Sequence, residues 1–405
     1  MVDSPVAYRR LLGAAGVSGI GDGIRFAALP LLAAAVLRDG LQVAVVTAAT
    51  TVPWLLFGLQ AGAYADRFER RRLMVIADVL RAVTLVGAAA LLAAGWLTFW
   101  PLVTVAFLLG LGEVLFDCAS FAFLPSVVAA DLLESANGRL FVIQTVGRDL
   151  LGHVLGGFLF AIGRAVPFVL DAISFAVSAA LLTGLPDSRP QPAAGGRNLL
   201  AEMREGVAHL VHDPLLRLLT VTAGLINAVY LGQVAVFVIL VRDVLRLPSA
   251  AYGALVAAGA LGGVLGGAVA ARAAHRYGRV PTLIGSLALI GAAAVGVAAT
   301  DETAVVAVAY AVSGAGVMVW NVIAVALRQG VVPDRLLGRT TGAYRLVAWG
   351  MMPVGALVLG SIGEAAGPRV AFLAGGVALL ALCPWIAPTL RRDPRIRYAA
   401  KDDDD

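Results

Sequence analysis

The sequence predicts an all-α membrane protein of twelve transmembrane helices arranged as two pseudo-symmetric six-helix bundles. Three observations carry that expectation. Of 405 residues, 60% are apolar and only 14% charged, with a mean hydropathy of +0.88, whereas a soluble chain carries about a quarter charged residues. The apolar residues gather into runs close to the roughly 20 residues that one bilayer crossing needs. A single long hydrophilic connection divides those runs six and six. So much apolar surface excludes disorder, and with it a collagen, a disulfide scaffold and a nucleic-acid binder. The 46 glycines and 18 prolines lie largely within the apolar runs, as suits helices packed closely in lipid.

Taken in order, spans are expected at 11–37, 43–64, 73–95, 100–122, 137–162, 166–185, 214–241, 249–271, 280–299, 303–326, 341–365 and 368–390. Arg9 and Arg10 precede the first run as they would a signal peptide, but its length and the Asp22 and Arg25 inside it read as a permanent helix. With both termini on one side, twenty arginines fall in that side's connections and five on the other. The positive-inside rule then puts both termini in the cytoplasm. The connection 186–213 opens as a linker containing Pro186, Pro190, Pro192, Gly195 and Gly196, then becomes an amphipathic helix over 199–211.

The expected domains are therefore 1–185, the linker 186–213, and 214–397. Residues 398–405 end in four aspartates after Lys401, the only lysine beside thirty arginines, and read as an appended epitope-like tail. Setting Lys401–Asp405 aside raises the net charge from +5 to +8. Cys118 and Cys383 stand in separate apolar runs without ligand spacing and read as buried thiols.

The halves resemble each other. Gly58–Arg72 has a weaker counterpart in Gly267–Arg279, and Leu124–Arg139 parallels Leu327–Arg339 in the same loop of each half. A two-fold repeat of six spans is a transporter architecture, with the substrate site near the midplane.

These residues also carry a family resemblance. Gly62-x-x-x-Asp66-Arg67-x-x-Arg70-Arg71, extended by Asp78 and Arg81 in span three, resembles the inner-loop motif of the major facilitator superfamily. Asp171-Ala172-Ile173-Ser174-Phe175, Leu327-Arg328-Gln329, Val332-Pro333-Asp334 and Leu337-Gly338-Arg339 are similar to its enterobactin-exporter-like and macrolide-efflux-like branch of drug:proton antiporters. The resemblance implies the major facilitator fold, secondary transport by alternating access, and a conformational latch formed by Gly62, Asp66, Arg67, Arg70, Arg71, Asp78 and Arg81. Two positions depart from the pattern. Glu69 replaces the glycine usual between the basic pairs, and His153 stands at the proline position of the Gly-Pro-x-x-Gly-Gly run in span five, here Gly152–Gly157.

An ionisable residue at mid-bilayer costs about 2.5–3.5 kcal/mol on the mildest scale and needs a reason. Asp22 lies about 16 Å into span one at 1.5 Å per residue, with Arg25 one turn on. Glu113 and Asp117 share a face of span four, and span five offers Arg148, Asp149 and His153. Two readings stand for each: a proton-coupling group, or half of a permanent ion pair holding helices together. Arg25 and Arg148 are the charge partners in both. Asp171, near the outer end of span six, reads as structural, and Glu364 as a partner for Arg369. Arg345 is either part of a gate or an anchor that snorkels to the inner surface. The second half offers Asn227, Tyr230, Gln233, Trp320, Asn321 and Trp349 as a neutral cavity wall. There is no Walker loop, zinc spacing or hydrolase triad, so neither a cofactor, a metal nor an enzyme activity is expected. The expected activity is proton-coupled efflux of a drug or bulky amphipathic natural product by a monomer. The alternatives are a siderophore exporter, a lipid or lysolipid transporter and, last, a non-transporting membrane receptor.

Overall fold

A computed structural model describes residues 5–37, 39–128, 139–140, 143, 145–186 and 199–398. The side chains of Asp66, Arg67, Asp149, Asp334, Arg335, Leu337 and Arg339, like the environment of Gly62, lie outside the description, as do the linker stretch 187–198 and the tail 399–405. Among the described residues the regular structure is entirely helical. The first half comprises α1 (Pro5–Val36), α2 (Gly40–Arg67), α3 (Arg70–Ala93), α4 (Phe99–Phe123), α5 (His153–Ile162) and α6 (Val166–Thr183). After α7 (Leu199–His212) come α8 (Pro214–Ile239), α9 (Ser249–Tyr277), α10 (Arg279–Ala298), α11 (Thr303–Val331), α12 (Asp334–Ala366), α13 (Pro368–Arg392) and the short α14 (Arg395–Tyr398).

Eleven of these helices are long and apolar enough to cross a membrane. The segment expected as the fifth span departs from a plain α-helix. It runs as a π-helix over Thr145–Gly152 and only then as α5. A π-helix takes more residues per turn than an α-helix, so a 3.6-residue periodicity does not reveal the change in winding.

The helices form two compact units. The first contains α1–α6 and also Val241–Ala257, and the second contains α7, α8 to Leu240, and the chain from Ala258 onward. Residues 241–257 join the first unit through the start of α9: a Cβ on Gly157 would lie 2.6 Å from the Ser249 carbonyl oxygen and 2.9 Å from the Gly253 Cα. In the first unit α1 packs on α6, the π-helix and α5, while α3 packs on α4 and α6, and α2 on α4. In the second, α8 packs on α12, α10 on α11 and α13, and α7 on α12.

Side-chain orientation is inverted relative to a soluble fold. Along α3 the inward stripe is Met74, Ala77, Asp78, Arg81, Thr84, Leu85 and Ala88, while Ile76, Val79, Val83 and Val86 face outward. The charges are inside and the β-branched apolar residues are left for lipid, which is where a helix surface in a bilayer loses nothing by exposing them. Trp96 and Trp100, both 72% exposed, flank the α3–α4 turn as interfacial anchors. The second unit has an apolar core in which Leu215, Leu219, Ile226, Leu287, Trp320 and Leu379 meet.

Candidate functional site: a buried charge network

The network is built around α1. Gly21 and Gly23 flank Asp22 and let two elements approach closely. A Cβ on Gly21 would collide with Ser174 Oγ and Asp171 Oδ1 of α6, and one on Gly23 with the Arg148 carbonyl oxygen of the π-helix. The i,i+3 spacing of Asp22 and Arg25 puts both on the face held there.

Arg25, 4% exposed, reaches three carboxylates from three helices. Its Nη2 donates to Asp22 Oδ1 at 2.7 Å and lies 3.5 Å from Glu113 Oε2 of α4, and its Nε lies 3.4 Å from Asp171 Oδ2 of α6. Asp22 in turn accepts from Arg81 Nη1 at 3.4 Å, and Arg81 also pairs with Asp78 one turn back on α3. The Arg81 guanidinium is held between two rings, 4.0 Å from the centre of Phe175 and 4.8 Å from that of Phe116, a desolvated cation–π arrangement. At the rim, Arg148 Nη2 donates to Glu113 Oε1 at 3.0 Å. Among the described residues, four acids and three arginines from α1, α3, α4, α6 and the π-helix thus form one connected network.

The other expected proton-coupling residues lie around it. Asp117 is half-buried one turn along α4 from Glu113 and makes no ion pair among the described residues. His153 is buried with its ring edge-on to Phe26, 5.1 Å between centroids. The Asp149 side chain falls outside the described residues. The structure brings Asp78 and Arg81, which the motif resemblance places in span three and assigns to the latch, into the network. It does the same for Asp171, which reads from the sequence as structural. The spacing Asp78-x-x-Arg81 signals a paired face; what a single chain cannot show is which neighbour that face meets.

Of the expected latch, Gly62, Asp66 and Arg67 lie outside the described side-chain environments. Arg71 donates to the Leu185 carbonyl at 2.9 Å and pairs with Glu69 at 2.9 Å, and Arg72 pairs with Glu69 at 2.5 Å. Glu69 therefore replaces a glycine with a local clasp on its own arginines. Arg369, for which the sequence suggests Glu364 as a partner, pairs with Asp301 of the α10–α11 connection.

The expected cavity wall divides. Asn227 donates its amide to the Ala348 carbonyl at 2.9 Å, tying α8 to α12. Trp320 is 1% exposed and belongs to the packed core of the second unit, so it lines no open surface there. Gln233 is buried against Gly375 of α13, whereas Tyr230 and Asn321 are exposed. Trp349 is half-buried beneath Arg345, 5.5 Å from its guanidinium. Arg328, unnoticed as a site from sequence, is 8% exposed and lies 3.9 Å over the Tyr344 ring.

Two bundles of long apolar helices with a charge network buried in one of them define a polytopic membrane transporter of the major facilitator type. The chain belongs to the family described as transmembrane secretion effector, which matches residues 4–391. It is 27% identical over 390 residues to the multidrug efflux pump Tap of Mycolicibacterium fortuitum, covering 92% of this chain and 93% of that one. It is 24% identical over 381 residues to the enterobactin exporter EntS of Escherichia coli O127:H6, covering 92% and 89%. Among solved structures, a point mutant of the nucleoside transporter NupG superposes with a TM-score of 0.79 at 13% identity, covering 94% of this chain and 99% of that one. An inward-facing, occupied bacterial homologue of the lysosomal transporter Spinster gives 0.76 at 14%, covering 95% and 96%.

Proposed function

We propose that the protein is a proton-coupled exporter of bulky amphipathic compounds, cationic ones foremost, in a bacterial inner membrane with both termini cytoplasmic. The observation that carries this reading is the buried network itself. Among the described residues four carboxylates face three guanidiniums, which leaves these groups with an excess of negative charge in a site that disfavours it. A proton or a cationic substrate relieves that excess, which couples the two. The membrane potential supplies about 2.3 kcal/mol per proton per 100 mV, before any pH gradient. Asp66, Arg67, Arg70, Arg71, Asp78 and Arg81 act as the conformational latch, and Asn227, Tyr230, Gln233, Asn321 and Trp349 as contacts of a neutral substrate wall.

Everted vesicles from expressing cells test this. An imposed gradient, acid inside, drives accumulation of a lipophilic cation such as ethidium, and Asp22→Asn and Glu113→Gln abolish it. Accumulation insensitive to the gradient and to both substitutions would refute the coupling. The named substrates of the two curated relatives support drug efflux and siderophore export as the competing substrate classes. A sensitivity screen of expressing cells against macrolides, tetracyclines and catecholate siderophores separates them.

A further inference from the structure

We propose that Asp171 is the carboxyl that holds the network's proton, with Arg25 as the group that releases it. The assignment rests on the proton-coupled reading and adds a residue and a geometry to it.

Two of the other acids meet two arginines each, and the third, Asp78, makes a close pair with one, although its Oδ2, like that of Asp171, has no hydrogen-bond partner among the described residues. Asp22 lies against both Arg25 and Arg81, Asp78 pairs with Arg81, and Glu113 lies between Arg25 and Arg148. Among the described residues the Nε of Arg25, at 3.4 Å, is the one cationic group within ion-pair distance of Asp171, and neither that Nε nor Asp171 Oδ2 makes a hydrogen bond there. The Asp171 side chain has no exposure at all. Its other oxygen accepts from the Ser174 hydroxyl at 3.1 Å. A fully buried carboxylate with one distant cation is the costliest of the four to leave charged. The network's odd proton therefore sits on Asp171 Oδ2, the oxygen without a donor.

The helices packed on α6 are α1, α3 and α5. They bring Asp22 and Arg25, Asp78 and Arg81, and His153 respectively. Glu113 and Arg148 act on Asp171 through Arg25, and Asp117 lies one turn beyond Glu113. When the proton leaves Asp171 for water, through Glu113 at the more exposed rim, Asp171 becomes a carboxylate and Arg25 closes the 3.4 Å gap to it. Arg25 then loosens from Asp22, the residue that also touches Arg81. Deprotonation at α6 is in this way transmitted to the α1–α3 contact.

Infrared spectroscopy of the purified, reconstituted full chain tests the assignment without any substrate. The wild type at neutral pH shows the carbonyl stretch of a protonated carboxylic acid. Asp171→Asn, close to isosteric, loses that band, and Asp171→Glu keeps it at a shifted position. Ser174→Ala keeps the band and shifts it, because the hydroxyl partner is gone. Folding of each variant is followed by thermal melting in detergent. In vesicles, Asp171→Asn still carries ethidium down its own gradient but no longer moves protons with it. Survival of the band in a folded Asp171→Asn protein, or its absence from the wild type, overturns the assignment. A band that behaves as expected in a protein that moves no cation would instead refute the transport reading and leave the proton site standing.

Discussion

Arg25 stands within 3.5 Å of three carboxylates carried by three different helices. Removing it leaves those acids facing one another in a site almost without water. Breaking a buried ion pair from one side costs about 3–5 kcal/mol, so Arg25→Ala is expected to lower the detergent melting temperature sharply. Arg25→Lys is expected to recover only part of the loss. An ammonium is a point charge on a flexible stem, whereas the planar guanidinium points fixed donors at several acids together. Equal melting temperatures for Arg25→Ala and wild type would remove the network from the account of stability. At this scale the sequence was half legible. Asp22, Arg25, Glu113 and Arg148 stand out because any charge in an apolar run needs an explanation. Asp171 does not, because its distance from the end of its own helix says nothing of the depth at which α6 meets α1. Trp320 misleads for the converse reason: an indole inside an apolar run is equally at home in a cavity wall or in a core, and here it is core.

Helices α1–α4, α6 and α8–α13 follow from runs of apolar residues bounded by Gly, Pro and charge, and most of their ends fall within a few residues of those signals. Where an end is set by a cap, the physics is local and testable. Asp213 precedes α8 and accepts from the backbone N–H groups of Leu215 at 2.9 Å and Leu216 at 3.1 Å. Arg395, from the start of α14, donates to both Asp213 and Asp393. Partial burial alone would raise the Asp213 carboxyl, but the Arg395 hydrogen bond and the capped N–H groups outweigh it and hold it below the ordinary range. The Arg395 hydrogen bond does the same to Asp393. A depressed carboxylate contributes its stabilisation above its unfolded value, near 3.9, and loses it as pH falls through the lower folded value. Asp213→Ala is therefore expected to cost about 1 kcal/mol at neutral pH, constant from about pH 5 to 8 and shrinking only in strong acid. Asp213→Asn keeps the cap and loses less. A difference that instead grows on acidification would show that the clasp is not ionic.

On the scale of the whole molecule, composition and the arginine distribution foretell a polytopic helical protein, and the helices, the family match and the structural neighbours agree with that. Orientation in the bilayer is a separate matter that only the loop arginines address. It is checked by labelling single cysteines in a chain whose Cys118 and Cys383 are replaced by serine. Glu302→Cys, in the exposed α10–α11 connection, is expected to react with an impermeant maleimide added to intact cells. Tyr277→Cys, 65% exposed at the end of α9, is expected to react only after the cells are opened. The reverse pattern would invert the topology and with it the direction of transport. What the arginine count cannot reveal is how the chain divides into packing units. Val241–Ala257 belong to the first unit despite following the seventh span, because Gly157 and Gly253 lack the side chains that would hold α5 and α9 apart.

The π-helical stretch Thr145–Gly152 has a consequence for how Arg148 is aimed. A helix wound wider than α spends more residues per turn. Tightening it to α over the same residues would turn each successive side chain farther around the axis, toward the roughly 100° step of an α-helix. Arg148 sits inside that stretch, with its guanidinium on Glu113 and its carbonyl against Gly23. Rewinding would turn the guanidinium and the carbonyl of Arg148 together, taking the one off α4 and the other off α1. Span five is in this sense a screw thread whose pitch aims one cation at Glu113.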